Sequence, residues 1–268
     1  SRGLGDVYKR QQKGMMKFEL FKKIIDEGID HGLCAIKLQS RGEAMMHPKI
    51  FEFSKYAKSK GVKDIQLTTN GTIFMKKNKI NQLFESGIDK LIFSIDKEHD
   101  ESIKEIYKKK KPIVRNYFNE IAETKKKNKL TKPFLVVQTS ISENSDKDKI
   151  IKDLKKEFKN ANHFNLNEIY ESTVEIKTKS NEKNKYDYHP CSYLWTRMLI
   201  FWDGTTTTCC RDYKGQYMYL GDANKDSVLE LWRSQKMTHF RKLHSEGNRE
   251  KIKICENCDV SRTLRNKN

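Results

Sequence analysis

The chain has 268 residues, 36% hydrophobic and 34% charged, and its 54 Lys and Arg outnumber 36 Asp and Glu for a net charge of +18. That length supports one larger domain with a small appendage, and 13 Phe, 11 Tyr and 3 Trp are too many aromatics for a disordered polyelectrolyte. No apolar run approaches the roughly 18 residues of a membrane span, so membrane, collagen and coiled-coil classes are excluded. Of the 54 basic residues only 11 are Arg, the bias of an AT-rich coding sequence. Nucleic-acid binding leans on Arg and on localised patches, so a solvated Lys surface is expected and nucleic acid is not an expected partner.

In chain order, Ser1 to Gln11 back-translates into a transposase adapter of sequencing libraries and is set aside as a scar of 1–11. The natural N-terminus is then expected upstream of Met15. Phe18, Phe21, Ile24, Ile25 and Ile29 recur at helical spacing, and Leu33 to Leu38 follows as a short apolar strand. Ile50 to Lys60 predicts a helix ended by Gly61, Asp64 to Thr69 a strand, Asn78 to Ser86 a helix stopped at Gly87, and Lys90 to Ile95 a strand. A helix is expected from Val114 to Lys126, a strand over Phe134 to Ile141, a helix over Ile150 to Phe158 and a last strand over His163 to Ile169. Strands alternating with helices imply parallel β/α units in an α/β fold. Because the series opens with a helix, one strand is expected to precede it. The complete domain would be a six-unit open barrel with its chemistry at the C-terminal strand ends, of which 12–170 is a partial version.

Residues 171–190 carry no Gly and little apolar content and are taken as a linker. Beyond them, Met198 to Cys209 predicts a β-hairpin turning at Gly204, Asp226 to His244 one amphipathic helix, and 261–268 a basic tail. The lysine runs Lys108 to Lys111 and Lys125 to Lys127 are expected on solvated helix ends or loops.

Five of the six cysteines, Cys191, Cys209, Cys210, Cys255 and Cys258, fall in the C-terminal third. Cys34 is expected to pack in a buried strand. A Cys-x-x-Cys turn at 255–258 points two sulfurs at one centre and a hairpin delivers two more, which suits zinc or an iron–sulfur cluster; the spacing leaves these two open. Spacing favours Cys209 over Cys210 as ligand. Nothing in the sequence supports the oxidising compartment that disulfides would need, so a cytoplasmic protein is expected. Trp195, Trp202 and Trp232 are expected to fill core rather than line an electron path or substrate cleft, and His47, His189 and His244 to be structural or surface residues rather than ligands; Asp212 to Tyr219, with Arg211, is open between a turn-and-packing role and contact with substrate.

Three polar motifs end successive strands: Ser40-Arg41-Gly42-Glu43, with His47-Pro48 after it; Thr69-Asn70-Gly71; and Ser94-Ile95-Asp96. Each alone is common turn or cap chemistry; together they lie on one rim. With the cysteines, they resemble radical S-adenosylmethionine enzymes that carry a C-terminal SPASM or twitch domain, over about Met15 to Val260. The resemblance implies a partial (β/α)6 barrel lacking its first strand and cluster loop, followed by a small cysteine-rich α+β domain at 191–260. It implies that Gly42 and Glu43 hold the ammonium of S-adenosylmethionine, Ser94 its ribose with Asp96 nearby, and Arg115 its carboxylate, with Asn70 at the same rim. It implies that Cys191, Cys209, Cys255 and Cys258 ligate one auxiliary [4Fe–4S] cluster, as in twitch-type dehydrogenases of an aminocyclitol alcohol.

The family's Cys-x-x-x-Cys-x-x-Cys loop, which holds the cofactor-cleaving cluster, does not occur in this sequence and is expected before Met15 in the parent protein. The fragment by itself is therefore expected to be inactive. The resemblance further implies hydrogen abstraction by a 5′-deoxyadenosyl radical, an electron accepted or relayed by the auxiliary cluster, and a donor such as flavodoxin or ferredoxin. The substrate would be a peptide or protein side chain, or a carbohydrate or cyclitol alcohol. The alternatives are a four-cysteine zinc-stapled nucleic-acid-binding protein and a scaffold of this fold without catalysis.

Overall fold

The computed structural model describes residues 14–39, 42–72, 79–95, 101–142, 144–168, 190–256 and 258; for 101–110 and 168 the description stops at the backbone. The stretches expected as scar (1–11), linker (up to 189) and tail (261–268), with Asp96 and His189, lie outside the described residues. Two compact units emerge: the described part of Gly32–Ile169, and that of Arg10–His31 with Tyr170–Asn268.

The first unit is a parallel sheet of five strands in sequence order: β1 (Ala35–Leu38), β2 (Asp64–Thr69), β3 (Lys90–Ser94), β4 (Phe134–Ile141) and β5 (His163–Glu168). Helices connect them, so each β/α/β step is a crossover and every C-terminal strand end lies at one edge. β2 alternates half-buried and buried residues, whereas β3 buries Leu91, Ile92 and Phe93 in a row, the mark of a strand covered on both faces. Phe93, Phe118 and Phe158 stack edge-to-face at centroid distances of 5.1 and 5.3 Å, tying β3 to a helix and to the end of the next.

At the opposite edge, Asp89 is buried just before β3. Its carboxylate accepts from Ile65 N at 2.9 Å and from Lys58 Nζ at 2.7 Å, and pairs with Lys132. Burial pushes its pKa up, but the hydrogen bonds from Lys132 and Lys58 outweigh this and hold it below the ordinary value.

The helix expected from Val114 runs instead over Glu101–Lys127, straight through Pro112. Proline removes one backbone donor and ordinarily marks a boundary. Here the C-terminal part buries Val114, Phe118, Ile121 and Ala122, and that packing anchors a helix long enough to absorb one missing bond. Cys34, expected in a buried strand, is exposed and precedes β1; its carbonyl accepts from Lys63 N and Asp64 N.

The second unit holds a three-stranded antiparallel sheet, β6 (Leu199–Ile200), β7 (Thr205–Thr207) and β8 (Tyr219–Asp222). Its third strand extends the expected hairpin. The single helix expected over Asp226 to His244 is two, Val228–Arg233 and Gln235–Ser245. Ser234 divides them: its backbone is extended and its side chain accepts from Met237 N, restarting the chain as a new helix. Phe18–Asp30, placed from sequence at the head of 12–170, buries Leu20 among Leu194, Met218, Leu220, Leu231 and Met237 of this unit. Lys23 donates to the carbonyls of Ala223 and Asp226, and Glu27 accepts from Val228 N, which caps the following helix with a distant carboxylate.

Candidate functional site

Two sets of functional side chains emerge, one in each unit. In the sheet unit, Glu43 sits in the turn after β1 and caps a short 3-10 turn, Ala44–Met46, with Oε1 accepting from Met45 N at 3.0 Å. Its Oε2 accepts from Asn70 N at 2.7 Å, so one carboxylate bridges the ends of β1 and β2. Asn70 Oδ1 in turn accepts from Thr72 N and Thr72 Oγ1. Gly71 follows at φ +78°, where a Cβ would lie 2.7 Å from Val114 Cγ1 and 2.9 Å from Phe93 Cε1. Only glycine fits so close an approach in the left-handed region. Val114 directly precedes Arg115, and Ser94 ends β3 half-buried beside Gln138 of β4. Glu43 and Asn70 are thus in direct contact and Ser94 occupies the same strand edge. Gly42 adopts φ +81° with open space around its Cα.

In the other unit, Cys191, Cys209, Cys210, Cys255 and Cys258 line one cavity with Tyr193, Met218, His244 and Arg249. Local hydrogen bonds explain the convergence. Cys255 N donates to Ile252 O and Cys258 N to Cys255 O, which turns the Cys-x-x-Cys segment onto itself. Cys209 leaves β7 into a turn held by Asp212, whose buried carboxylate accepts from Thr207 Oγ1 and from the backbone N–H of Gln216, Tyr217 and Met218. Arg211 and Asp212 to Tyr219 therefore sit in a turn that presents Cys209 and Met218, and Met218 Sδ lies 4.0 Å from Cys255 Sγ. Arg249, itself buried, donates to the Cys258 carbonyl.

All described cysteines are free thiols. Burial pushes Cys209 up to about 12, helped by Cys210 and Cys258, and it pushes Cys255 up as well, helped by Cys209, Cys258 and Cys191. Thiols that raise one another's pKa in a buried cavity cannot ionise together unless a cation joins them. Among the described residues no three His, Cys, Asp or Glu side chains close tightly enough to hold one metal ion. The sulfurs surround a cavity, as the corners of a polynuclear iron–sulfur body require, and the donor set fits such a group.

His244, expected to be an ordinary structural or surface histidine, is 2% exposed and lines this cavity. Its Nδ1 accepts from Cys191 N at 3.2 Å, while its Nε2 is buried with no partner among the described residues. Burial, with the neighbouring Arg249 charge, pulls it down to about 4, so the ring is neutral. Its spacing of seven from the buried Met237 was the available signal: a histidine on the apolar face of its helix. Arg197, stacked 3.5 Å over the Tyr193 ring, was not distinguished in the sequence either. Trp195 is 42% exposed rather than core, whereas Trp232 stacks under Arg241 at 4.3 Å.

The fold and the cavity define an α/β protein with a second, cysteine-rich unit. Residues 191–259 match the SPASM family, an iron–sulfur cluster-binding domain. Among curated proteins, the S-adenosyl-L-methionine-dependent 2-deoxy-scyllo-inosamine dehydrogenase of Niallia circulans is 34% identical over 56 residues, 21% of this chain and 22% of that protein. The probable GTP 3′,8-cyclase of Methanococcus maripaludis is 32% identical over 82 residues, 31% of this chain and 27% of that protein. The matched stretches thus span about a quarter of those relatives. BtrN in complex with AdoMet and 2-DOIA superposes at TM-score 0.57 with 16% identity, over 93% of this chain and 82% of that one. Streptococcus suis SuiB bound to S-adenosylmethionine superposes at 0.54 with 15% identity, over 96% and 69%. The chain has the fold of radical S-adenosylmethionine enzymes and carries a SPASM domain.

Proposed function

We propose that this chain belongs to a radical S-adenosylmethionine oxidoreductase with one auxiliary [4Fe–4S] cluster. The observation that carries this reading is the convergence of five free C-terminal thiols on one cavity inside the SPASM match. In the reading, Cys191, Cys209, Cys255 and Cys258 hold the cluster, and Cys210 is the spare thiol. When bound, the cofactor and clusters supply hydrogen abstraction from an unactivated carbon and one-electron transfer.

The chain's own residues bind and orient. Each Glu43 oxygen accepts one backbone N–H and retains a lone pair for the methionine ammonium. Ser94 offers a hydroxyl to the ribose, Arg115 a guanidinium to the carboxylate, and Gly42 and Asn70 complete the described rim. A cyclitol or carbohydrate alcohol is the favoured substrate, supported by the likeness to the inosamine dehydrogenase and to BtrN. A flavodoxin- or ferredoxin-type donor would supply electrons.

Anaerobically purified protein tests this. Brown protein with about four iron and four sulfide per chain, lost in Cys191→Ala and kept in Cys210→Ala, is the expected result. Colourless protein with one zinc would sink the cluster reading.

A further inference from the structure

The sulfurs of an iron–sulfur cluster keep lone pairs, and hydrogen bonds to them help set its reduction potential. Around this cavity the described polar side chains are Tyr193, Thr208, Arg211, His244 and Arg249. Thr208 Oγ1 already reaches Met218 Sδ at 3.8 Å, and Arg249 donates to the Cys258 carbonyl. His244 differs from both. Its Nδ1 is an acceptor, taken by the backbone N–H of Cys191, so the ring proton must sit on Nε2. That N–H is buried and has no partner among the described residues. An unmet buried donor is costly and is rarely kept without a role.

We propose that His244 Nε2–H donates a hydrogen bond to a sulfur of the auxiliary cluster, making His244 a positioning residue that raises the cluster's reduction potential. The inference rests on the cluster reading above. One imidazole serves both ends: Nδ1 fixes the backbone of Cys191, and Nε2 meets the electron density on sulfur. Reduction adds negative charge to the cluster, so a donor aimed at it favours the reduced state. No bond is made or broken in this role and the histidine is not a ligand.

The test uses the full chain, reconstituted anaerobically with iron and sulfide, where the sequence provides cysteines for this cluster alone. His244→Asn keeps an acceptor near Nδ1 for Cys191 and deletes the Nε2 donor, whereas His244→Gln places an amide N–H near Nε2. Potentiometric titration followed by electron paramagnetic resonance should show a more negative midpoint for His244→Asn. A tenfold change in the oxidised-to-reduced ratio at fixed potential, about 59 mV for a one-electron couple, is the scale expected. His244→Gln should lie nearer the parent.

Parent-like midpoints in both variants, with iron and sulfide intact, would overturn the role of His244 while leaving the cluster standing. Iron-free parent protein would overturn both. Where either variant fails to assemble, parent protein labelled with nitrogen-15 histidine decides. Weak nitrogen coupling to the reduced cluster supports the donor; no coupling, or the strong coupling of a direct ligand, overturns it.

Discussion

At the scale of single residues, carboxylates brace each unit internally through backbone N–H groups far away in sequence. Asp89 is the clearest case, accepting from Ile65 N while paired with Lys58 and Lys132. Its folded-state pKa lies below the ordinary 3.8, so the unfolded chain takes up the proton first as pH falls. The stabilisation is fully present above that ordinary value and is lost as pH drops through the folded one. Asp89→Asn should cost about 1–3 kcal/mol near neutrality and flatten the acid limb of a stability profile. Denaturant melts from pH 3 to 7 read both effects, and an unchanged acid limb would remove Asp89 from the account. Glu43 was legible in the sequence as half of a Gly-Glu pair, but its bond to Asn70 N, 27 residues away, was not. His244 went unread for the same reason: a helical periodicity shows that a side chain is inside, not which nitrogen has a partner.

At the scale of elements, the strands were the most legible part. Asp64–Thr69 and Phe134–Ile141 coincide with the expected spans, because short apolar runs bounded by turn residues have few alternatives. Helix ends were less so. The helix expected from Val114 starts at Glu101 and runs through Pro112, and Ser234 hid a break that its side-chain cap creates. The turn at Gly71 couples β2 to the long helix through Val114. Gly71→Ala should therefore destabilise the sheet unit by about 1–3 kcal/mol, since the left-handed backbone and the close approach both exclude a Cβ. A thermal melt monitored by circular dichroism would measure it; a parent-like midpoint would mean the helix moves aside freely. Ser227 and Glu230 form a reciprocal cap on the helix that follows, and Ser227→Ala should cost about 1 kcal/mol.

At the scale of the whole molecule, Phe18–Asp30 joins residues nearly 200 positions away. Leu20 lies in the same apolar cluster as Met218, Leu220 and Leu231, alongside the buried Cys255. Leu20→Ala should cost about 2–4 kcal/mol and loosen the cysteine unit specifically, lowering iron retention after chelator challenge. Retention equal to the parent's would separate this helix from the metal site. Lacking a Cys-x-x-x-Cys-x-x-Cys motif, the chain alone should form no 5′-deoxyadenosine from S-adenosylmethionine with dithionite, as chromatography would show.

The sequence by itself determined the parallel α/β order, the polar rim at Glu43, Asn70 and Ser94, and the clustering of cysteines in the last third. These depend on local periodicity, on turn chemistry and on residue types whose uses are few. The tertiary structure alone decided that Phe18–Asp30 packs with the cysteine unit, that Asp212 builds the turn presenting Cys209, and that His244, lining the thiol cavity, buries an Nε2 with no partner among the described residues. Such facts come from hydrogen bonds and burial between residues distant in the chain, and no local pattern encodes which distant group completes a bond.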